Sequence, residues 1–290
     1  MKNRTSALFI KILLIFTIFI LIFTLFINSK AILAKSDTRT LSETIEDKVA
    51  EKDKLAKENI TLEQSIKEKK SQYSEVLSNT KIAYLTFDDG PSNHTLKILD
   101  ILDKYNVKAT FFVNYKPGME SIYKEISDRG HTLANHTASH SYNKIYANNE
   151  SFLGDIQSLD EKLKSITGKE PSKIFRFPGG SNNRVNGHTD ANFMPGLSQY
   201  MTDLGYTFFD WNIDSMDAAT FKQDKNVIIH SILDNTPYVK QANILMHDLN
   251  PKTTTVDALS NVIEGLRAQG FIIEPLTHDS AKIQFTPVNE

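Results

Sequence analysis

The sequence predicts an α/β barrel of about seven strand-and-helix units, carried behind a transmembrane helix and a helical stalk. Three observations point there. The first 89 residues hold neither glycine nor proline, whereas all 12 glycines and 9 prolines lie at or beyond Gly90. Beyond Lys81, short apolar runs alternate with helical patterns, which signals a parallel sheet covered by helices. Polar clusters follow the apolar runs, and in such barrels the chemistry sits at the C-terminal ends of the strands.

Taken in order, residues 1–6 are expected on the cytoplasmic side and residues 7–28 as a membrane anchor. Ile12 to Asn28 is uncharged and strongly apolar, and crossing Lys11 extends the run to Ala7. About 20 residues span a bilayer, whereas the apolar part of a cleaved leader is only about 7 to 15 residues long. Length favours a retained, single-pass anchor with the following domain outside the cell. A cleaved and secreted form is the alternative, with Ala34 as the candidate cut site. Residues 29–80 read as a solvated helical stalk. Leu41, Ile45, Leu55, Leu62, Ile66, Tyr73 and Val76 recur at helical spacing, but Lys48, Lys52, Asn59 and Lys69 interrupt the seam. So polar a seam allows at most a weak coiled-coil dimer.

The candidate strands are Ile82 to Phe87, Ala109 to Val113, Thr132 to Asn135, Ile174 to Phe177, Thr207 to Trp211, Ile244 to Met246 and Phe271 to Glu274. Helical patterns lie between them, such as Leu96 to Tyr105 and Val256 to Gln269, the latter stopped by Gly270 as a C-terminal cap. Ser181 to Tyr200, rich in Asn, Gly and Thr, reads as a rim loop. With 33 basic and 35 acidic side chains the chain is near neutral, which argues against a nucleic-acid partner. The absence of cysteine excludes a thiol nucleophile, disulfides and thiolate-bound zinc. No Gly-x-Ser-x-Gly turn supports serine hydrolase chemistry.

The polar clusters themselves are informative. Asp88 and Asp89 stand side by side before a Gly-Pro turn, and adjacent like charges call for a metal, an arginine or both. His136 and His140 follow the third strand, Arg176 the fourth, Asp210, Asp214 and Asp217 the fifth, and His247 and Asp248 the sixth. Two imidazoles and one carboxylate leave an open position on a divalent ion. His94, His131, His188, His230 and His278 stand alone and read as structural.

The set Thr-Phe-Asp-Asp-Gly-Pro, His-Thr-Ala-Ser-His, Arg-Phe-Pro-Gly-Gly, Asp-Ser-Met-Asp and Leu-Met-His resembles, in order and approximate spacing, the five motifs of the polysaccharide deacetylases, the NodB-homology group of carbohydrate esterase family 4. The resemblance covers residues 81–279, leaves 280–290 as a tail, and implies a distorted (β/α)7 barrel. It implies Asp89, His136 and His140 as ligands of one divalent ion, zinc by preference, with cobalt or nickel as alternatives. It implies Asp88 as general base braced by Arg176, His247 as general acid paired with Asp217, Gly179 as a backbone donor to the oxyanion, and Leu245 as the wall against the acetyl methyl group. The expected activity is N-deacetylation of amino sugars in an extracellular glycan, with peptidoglycan favoured because a tethered enzyme reaches what lies near its membrane. Deacetylation of chitin-like oligomers and a catalytically silent glycan-binding protein are the alternatives. Two positions depart from the pattern. Gly179 stands where a bulky residue is usual, which removes a groove wall, and Ala218 follows Asp217 where tryptophan is usual. Trp211, or the pair Asp210 and Trp211, is the alternative occupant of the fourth motif's role.

Overall fold

The computed structural model describes residues 41–184 and 191–288, together with Thr17, Ile20, Leu21 and Thr24. The chain divides into two compact units, residues 1–71 and 72–290. Apart from those four residues, the predicted anchor 7–28 lies outside the described residues, as do stalk residues 29–40. Among the described residues no helix is long and apolar enough to cross a membrane. The charged segment forms one helix, α1 (Leu41–Asn79). Leu55, Leu62 and Ile66 are half-buried along it, while Val49, Ile60 and Val76 are exposed.

The second unit is built on a parallel sheet. Its strands are β1 (Ile82–Gly90), β2 (Thr110–Val113), β3 (Thr132–Asn135), β4 (Ile174–Phe175), β5 (Thr207–Phe208), β6 (Ile213–Asp214), β7 (Gln241–His247) and β8 (Ile272–Ile273). The order across the sheet is β5-β4-β3-β2-β1-β7-β6, with β8 on β1. β7 takes one edge of β1 from Ile82 to Asp88, and the other edge is shared between β8 at Ile82 and Ala83 and β2 from Thr86 onward. Curled in this order, the sheet is a parallel half-barrel, and among the described residues no strand ladder joins β5 to β6.

β1 is buried along its length because the two side-chain rows of a strand face opposite ways. Ala83, Leu85 and Phe87 pack outward in the main core with Ile98, Leu99 and Leu102 of α2 (Thr95–Lys104) and Leu259, Val262, Ile263 and Leu266 of α8 (Thr253–Ala268). Ile82 and Tyr84 face inward, with Phe112, Ala134, Ile174, Phe209 and Leu276. A strand with both faces buried reads as a continuous apolar run. The remaining helices are α3 (Glu120–Asp128), α4 (Tyr142–Ile145), α5 (Asn149–Thr167), α6 (Phe193–Asp203) and α7 (Lys225–Leu233). An aromatic cluster of Tyr146, Phe152, Phe175, Phe177 and Phe208, joined by Ile145 of α4 and by Met194, Leu197 and Met201 of α6, packs α4, α5 and α6 with β4 and β5.

Several expectations need correction. β4 and β5 are two residues long, shorter than predicted, although Arg176 N–H to Asn135 O (3.0 Å) and Phe209 N–H to Phe175 O (3.1 Å) carry the pairing one step further. β6 has only two residues, too few for a periodic signal. The segment read as a rim loop from Ser181 to Tyr200 contains the first turns of α6, and residues 185–190 lie outside the described residues. Gly270 does cap α8: its φ is 85°, its N–H reaches Arg267 O, and Phe271 N–H reaches Leu266 O.

The tail is part of the second unit. Asp210 N–H donates to Ile283 O at 2.8 Å, and the Gln284 amide donates to Phe208 O at 3.1 Å, so the chain beyond β8 lies along the open edge beside β5.

Gly265 in α8 is set by its neighbour. A Cβ there would lie 2.3 Å from Leu233 Cδ1 of α7. Helix propensity alone favours Gly265→Ala by about 1 kcal/mol, whereas overpacking costs about 1–3 kcal/mol. The substitution is therefore expected to lower the urea midpoint, and a raised midpoint would show that α7 yields freely.

Candidate active site

β1 ends in two consecutive carboxylates, which a regular strand would send to opposite faces. The β1–β2 register slips between Asp88 and Gly90, and the extra residue, Asp89, has φ 68°. Such a bulge re-aims a side chain, and here it brings both carboxylates to one imidazole: Asp88 Oδ2 lies 3.8 Å and Asp89 Oδ1 3.7 Å from His136 Nε2. The Lys116 ammonium donates to the Asp89 carbonyl and secures the bulge. Gly90 has no side chain because a Cβ would meet Asp248 Oδ2 at 2.6 Å. Asp248 is buried and accepts from the hydroxyls of Ser92 and Thr95.

His140 Nε2 lies 3.3 Å from Asp89 Oδ1. The ligand atoms of Asp89, His136 and His140 all fall within 4.8 Å of one another, a spacing one divalent ion could bridge. The donor chemistry fits such an ion. His136 Nδ1 contacts Arg176 O at 2.9 Å as the donor, which leaves the Nε2 lone pair facing Asp89. Burial and the neighbouring His136 lower the pKa of His140 against the pull of Asp89, favouring the neutral, ligating ring.

The loop carrying these histidines is strained and heavily braced. Thr137 and His140 have φ of 68° and 50°. Thr137 N–H donates to Asn135 Oδ1, His140 N–H to Thr137 Oγ1, and the Asn114 amide to the carbonyls of His136 and Thr137. Behind them Asp155, buried on α5, accepts from Ser139 N–H at 2.8 Å, Ser139 Oγ at 2.9 Å and Lys144 Nζ at 2.7 Å. Sequence reading missed Asp155. Its signal was present: Phe152, Asp155, Ile156, Leu159, Asp160 and Leu163 form one buried stripe, and a carboxylate on such a face needs partners.

Arg176 is fully buried, and each of its five N–H groups has an acceptor. Nε donates to Phe209 O, Nη1 to Asp88 Oδ1 (2.7 Å) and Thr86 Oγ1 (2.8 Å), and Nη2 to Asp210 O and Asn243 Oδ1. Its guanidinium lies 4.2 Å over the Phe112 ring. One oxygen of Asp88 is thus tied to Arg176 while the other faces the histidines.

His247 pairs in register with Asp88 across β1 and β7, and Leu245 pairs with Thr86. Parallel register partners share a face, so Thr86, Asp88, Leu245 and His247 line the same side of the sheet. His247 Nδ1 donates to Asp217 Oδ1 at 2.7 Å, and its backbone N–H donates to Asp217 Oδ2 at 2.9 Å. Burial opposes the imidazolium, but the hydrogen bond and charge of Asp217, with the charges of Asp88 and Asp89, outweigh it and raise the His247 pKa to about 9. Burial likewise opposes the Asp217 carboxylate, and donors from His247 and Thr255 bring its pKa below the ordinary value. Lys252, itself buried, donates to the carbonyls of Asp217, Thr220 and Phe221 and fixes that loop.

The other polar residues after β5 have different work. Asp214 is exposed and closes a turn by accepting from Met216 N–H. Asp210 accepts from Ser181 and Phe285, remote from His247 in its bonding. Trp211 packs edge-on against Phe285, beside Gly180 and 5.8 Å from the Arg176 guanidinium, while Ala218 is exposed. With φ 78°, a Cβ on Gly179 would lie 2.9 Å from Tyr142 Oη, and the Tyr142 ring stands edge-on to His140. Asn183 is spent on the Pro178 and Gly180 carbonyls, while Asn182 and Arg184 are exposed.

Among the single histidines, His94 bonds Asn250 O, His131 receives Ala109 N–H, His230 faces Asp234 and His278 joins Thr207 to Ser172. His188 lies outside the described residues.

The sequence profile of the polysaccharide deacetylases matches residues 76–193, which hold Asp88 through Gly179 but stop short of Asp217 and His247. A peptidoglycan-N-acetylglucosamine deacetylase of Bacillus cereus is 31% identical over 207 residues, covering 69% of this chain and 71% of the relative. The chain belongs to the polysaccharide deacetylase family. As such it is a hydrolase of the amide bonds of N-acetylated sugars, and members of the family are metalloenzymes. A peptidoglycan-N-acetylmuramic acid deacetylase of Bacillus subtilis is 28% identical, covering 69% of this chain and 72% of the relative. The crystal structure of the catalytic domain of a peptidoglycan N-acetylglucosamine deacetylase from Eubacterium rectale superposes with a TM-score of 0.68 at 38% identity, covering 73% of this chain and 95% of that one.

Two measurements check this reading of the polysaccharide deacetylase site. Asp155→Asn is expected to weaken zinc binding by about 10- to 100-fold through loss of loop support, read by competition with a chromogenic chelator. In the metal-free protein, Asp217→Asn should bring the His247 pKa down from about 9, because burial then acts with less opposition. Histidine titration by NMR reads this, and an unmoved pKa would deny Asp217 the role.

Proposed function

We propose that this chain is a metal-dependent N-deacetylase of peptidoglycan, hydrolysing the acetamide of an N-acetylated amino sugar to acetate and a free amine. The observation that carries it is the placement of Asp88 between two partners. Oδ1 is held by Arg176, and Oδ2 faces the Asp89, His136 and His140 cluster, with His247 in register on the neighbouring strand. The names of the relatives from Bacillus cereus, Bacillus subtilis and Eubacterium rectale support peptidoglycan as the polymer. The apolar run 7–28 supports a tethered enzyme working outside the membrane.

Asp89, His136 and His140 would hold the ion, and zinc suits two imidazoles and a carboxylate. When bound it supplies Lewis acidity, polarising the acetyl carbonyl and acidifying water. Asp88 takes a proton from the attacking water as the water oxygen forms a bond to the carbonyl carbon. Arg176 cannot swing away, because all five of its donors are engaged, so it holds the Asp88 carboxylate at one angle. Gly179 offers its backbone N–H to the oxygen on which negative charge develops. His247, kept as imidazolium by Asp217, gives its Nε2 proton to the sugar nitrogen as the carbon–nitrogen bond breaks. Leu245, on the same face as His247, provides apolar surface for the acetyl methyl group.

Chelation followed by zinc should remove and restore acetate release from purified peptidoglycan, with mass spectrometry of the digested fragments reporting which sugar lost its acetyl group. Asp88→Asn is expected to lower kcat by at least about 100-fold. Because His247 must be protonated to act, kcat falls as the pH rises through its pKa, and Asp217→Asn moves that alkaline limb to lower pH. Deacetylation of chitin oligomers with peptidoglycan untouched would overturn the choice of polymer, and metal-independent hydrolysis would overturn the mechanism.

A further inference from the structure

The turn Pro178–Ser181 carries Gly179 past the metal-ligating loop, and its far side is gripped by residues with no part in the chemistry above. Ser181 N–H donates to Asp210 Oδ1 at 2.8 Å and Ser181 Oγ to Asp210 Oδ2 at 2.6 Å. Both Asp210 and Ser181 are fully buried. The second half of the grip comes from the end of the chain, more than 70 residues away in sequence from Asp210. Phe285 N–H donates to Asp210 Oδ2 at 2.7 Å, Thr286 N–H to Ser181 Oγ at 2.9 Å, and Thr286 Oγ1 to Ser181 O at 2.9 Å. The Phe285 ring lies so close to Gly180 that a Cβ there would meet it at 3.1 Å, and it packs edge-on against Trp211. Asp210 also reaches the base side of the site, since its carbonyl accepts from Arg176 Nη2 at 3.0 Å.

We propose that the C-terminal segment Ile283–Thr286 is a clasp that completes the active site, with Asp210, Ser181 and Thr286 as positioning residues for the Gly179 turn and for Arg176. The inference rests on the deacetylase reading. Every polar atom of the Ser181 residue is engaged: N–H and hydroxyl with Asp210, hydroxyl and carbonyl with Thr286. The turn therefore cannot rotate its backbone donors without breaking bonds to a buried carboxylate, which is expensive where no water can replace them. The metal cluster lies on other elements, β1 and the loop after β3, and shares none of these bonds. The clasp thus acts first on orientation of the reacting carbonyl, and it meets the metal ligands only indirectly, through Arg176, whose carbonyl accepts from His136 Nδ1. A misplacement of about 1 Å in such a donor is worth about 100-fold in rate.

The test uses the full chain with three changes: Ser181→Ala, Asp210→Asn, and a stop after Ile283. Zinc affinity, steady-state kinetics on an N-acetylglucosamine oligomer, and hydrogen exchange of the amides of residues 177–183 are measured on each. The expected result is a kcat lowered by about 10- to 100-fold, with KM and zinc affinity changed by less than about threefold, and faster exchange confined to the turn. Retained kcat in the truncated chain and in Ser181→Ala would overturn the proposal, as would loss of zinc affinity in step with kcat. Should Asp210→Asn not fold, the other two variants still decide. If the unaltered chain releases no acetate with any divalent ion, the deacetylase reading fails by itself, and exchange in the turn still tests the clasp: unchanged protection on truncation would overturn it.

Discussion

The bonding of Arg176 is the constraint on which the rest of the catalytic end depends. A guanidinium taken wholly out of water is tolerable only when its donors are all met and its charge is paired. Here the acceptors come from β1 (Thr86 and Asp88), from β7 (Asn243) and from the stretch after β5 (Phe209 and Asp210). Three separate pieces of backbone must therefore converge on one side chain. The β1–β7 ladder sets the spacing of Asp88 and His247, and the convergence on Arg176 fixes which oxygen of Asp88 remains for the metal side.

Around that centre the backbone departs from its preferred basins. Of the six non-glycine residues with positive φ among the described residues, Asp89, Thr137, His140 and Met216 are metal-ligand candidates or sit within two residues of a site residue. Each such residue costs of order 1–3 kcal/mol and persists only where neighbours over-determine it. The neighbours are identifiable: Lys116 at Asp89, Asn135 and Asn114 at Thr137, Asp155 behind His140, Asp214 and Gln223 at Met216. The aromatic packing of Tyr146, Phe152, Phe175 and Phe177 reaches His140 through the Tyr142 ring, and Tyr146 Oη ties into Pro178 O. Rigid packing and buried polar bracing hold a geometry that the local chain would not choose.

Much of this was legible in the sequence because it is local. Alternation of short apolar runs with helical periods identified the parallel sheet, Gly270 marked the end of α8, and the order of the Asp, His, Arg, Asp and His clusters identified the family. What escaped was whatever depended on partners distant along the chain. β6 is two residues long and exists only as a neighbour of β7. Asp155 is a helix residue whose importance lies in reaching Ser139, and the tail reads as an appendage until its hydrogen bonds to Asp210 and Ser181 are seen.

The sequence by itself determined the kinds of chemistry available: which side chains could bind an ion, take a proton or give one, and near which strand ends they lie. Periodicity and residue type carry that information, since they act over a few residues. Only the tertiary structure decided that Asp88 and Asp89 face one site rather than two, that Asp217 and not Asp210 partners His247, and that the end of the chain closes over the Gly179 turn. Those outcomes hang on a one-residue slip in a strand ladder and on hydrogen bonds between segments tens of residues apart. Such bonds form only when the whole sheet has already brought their ends together.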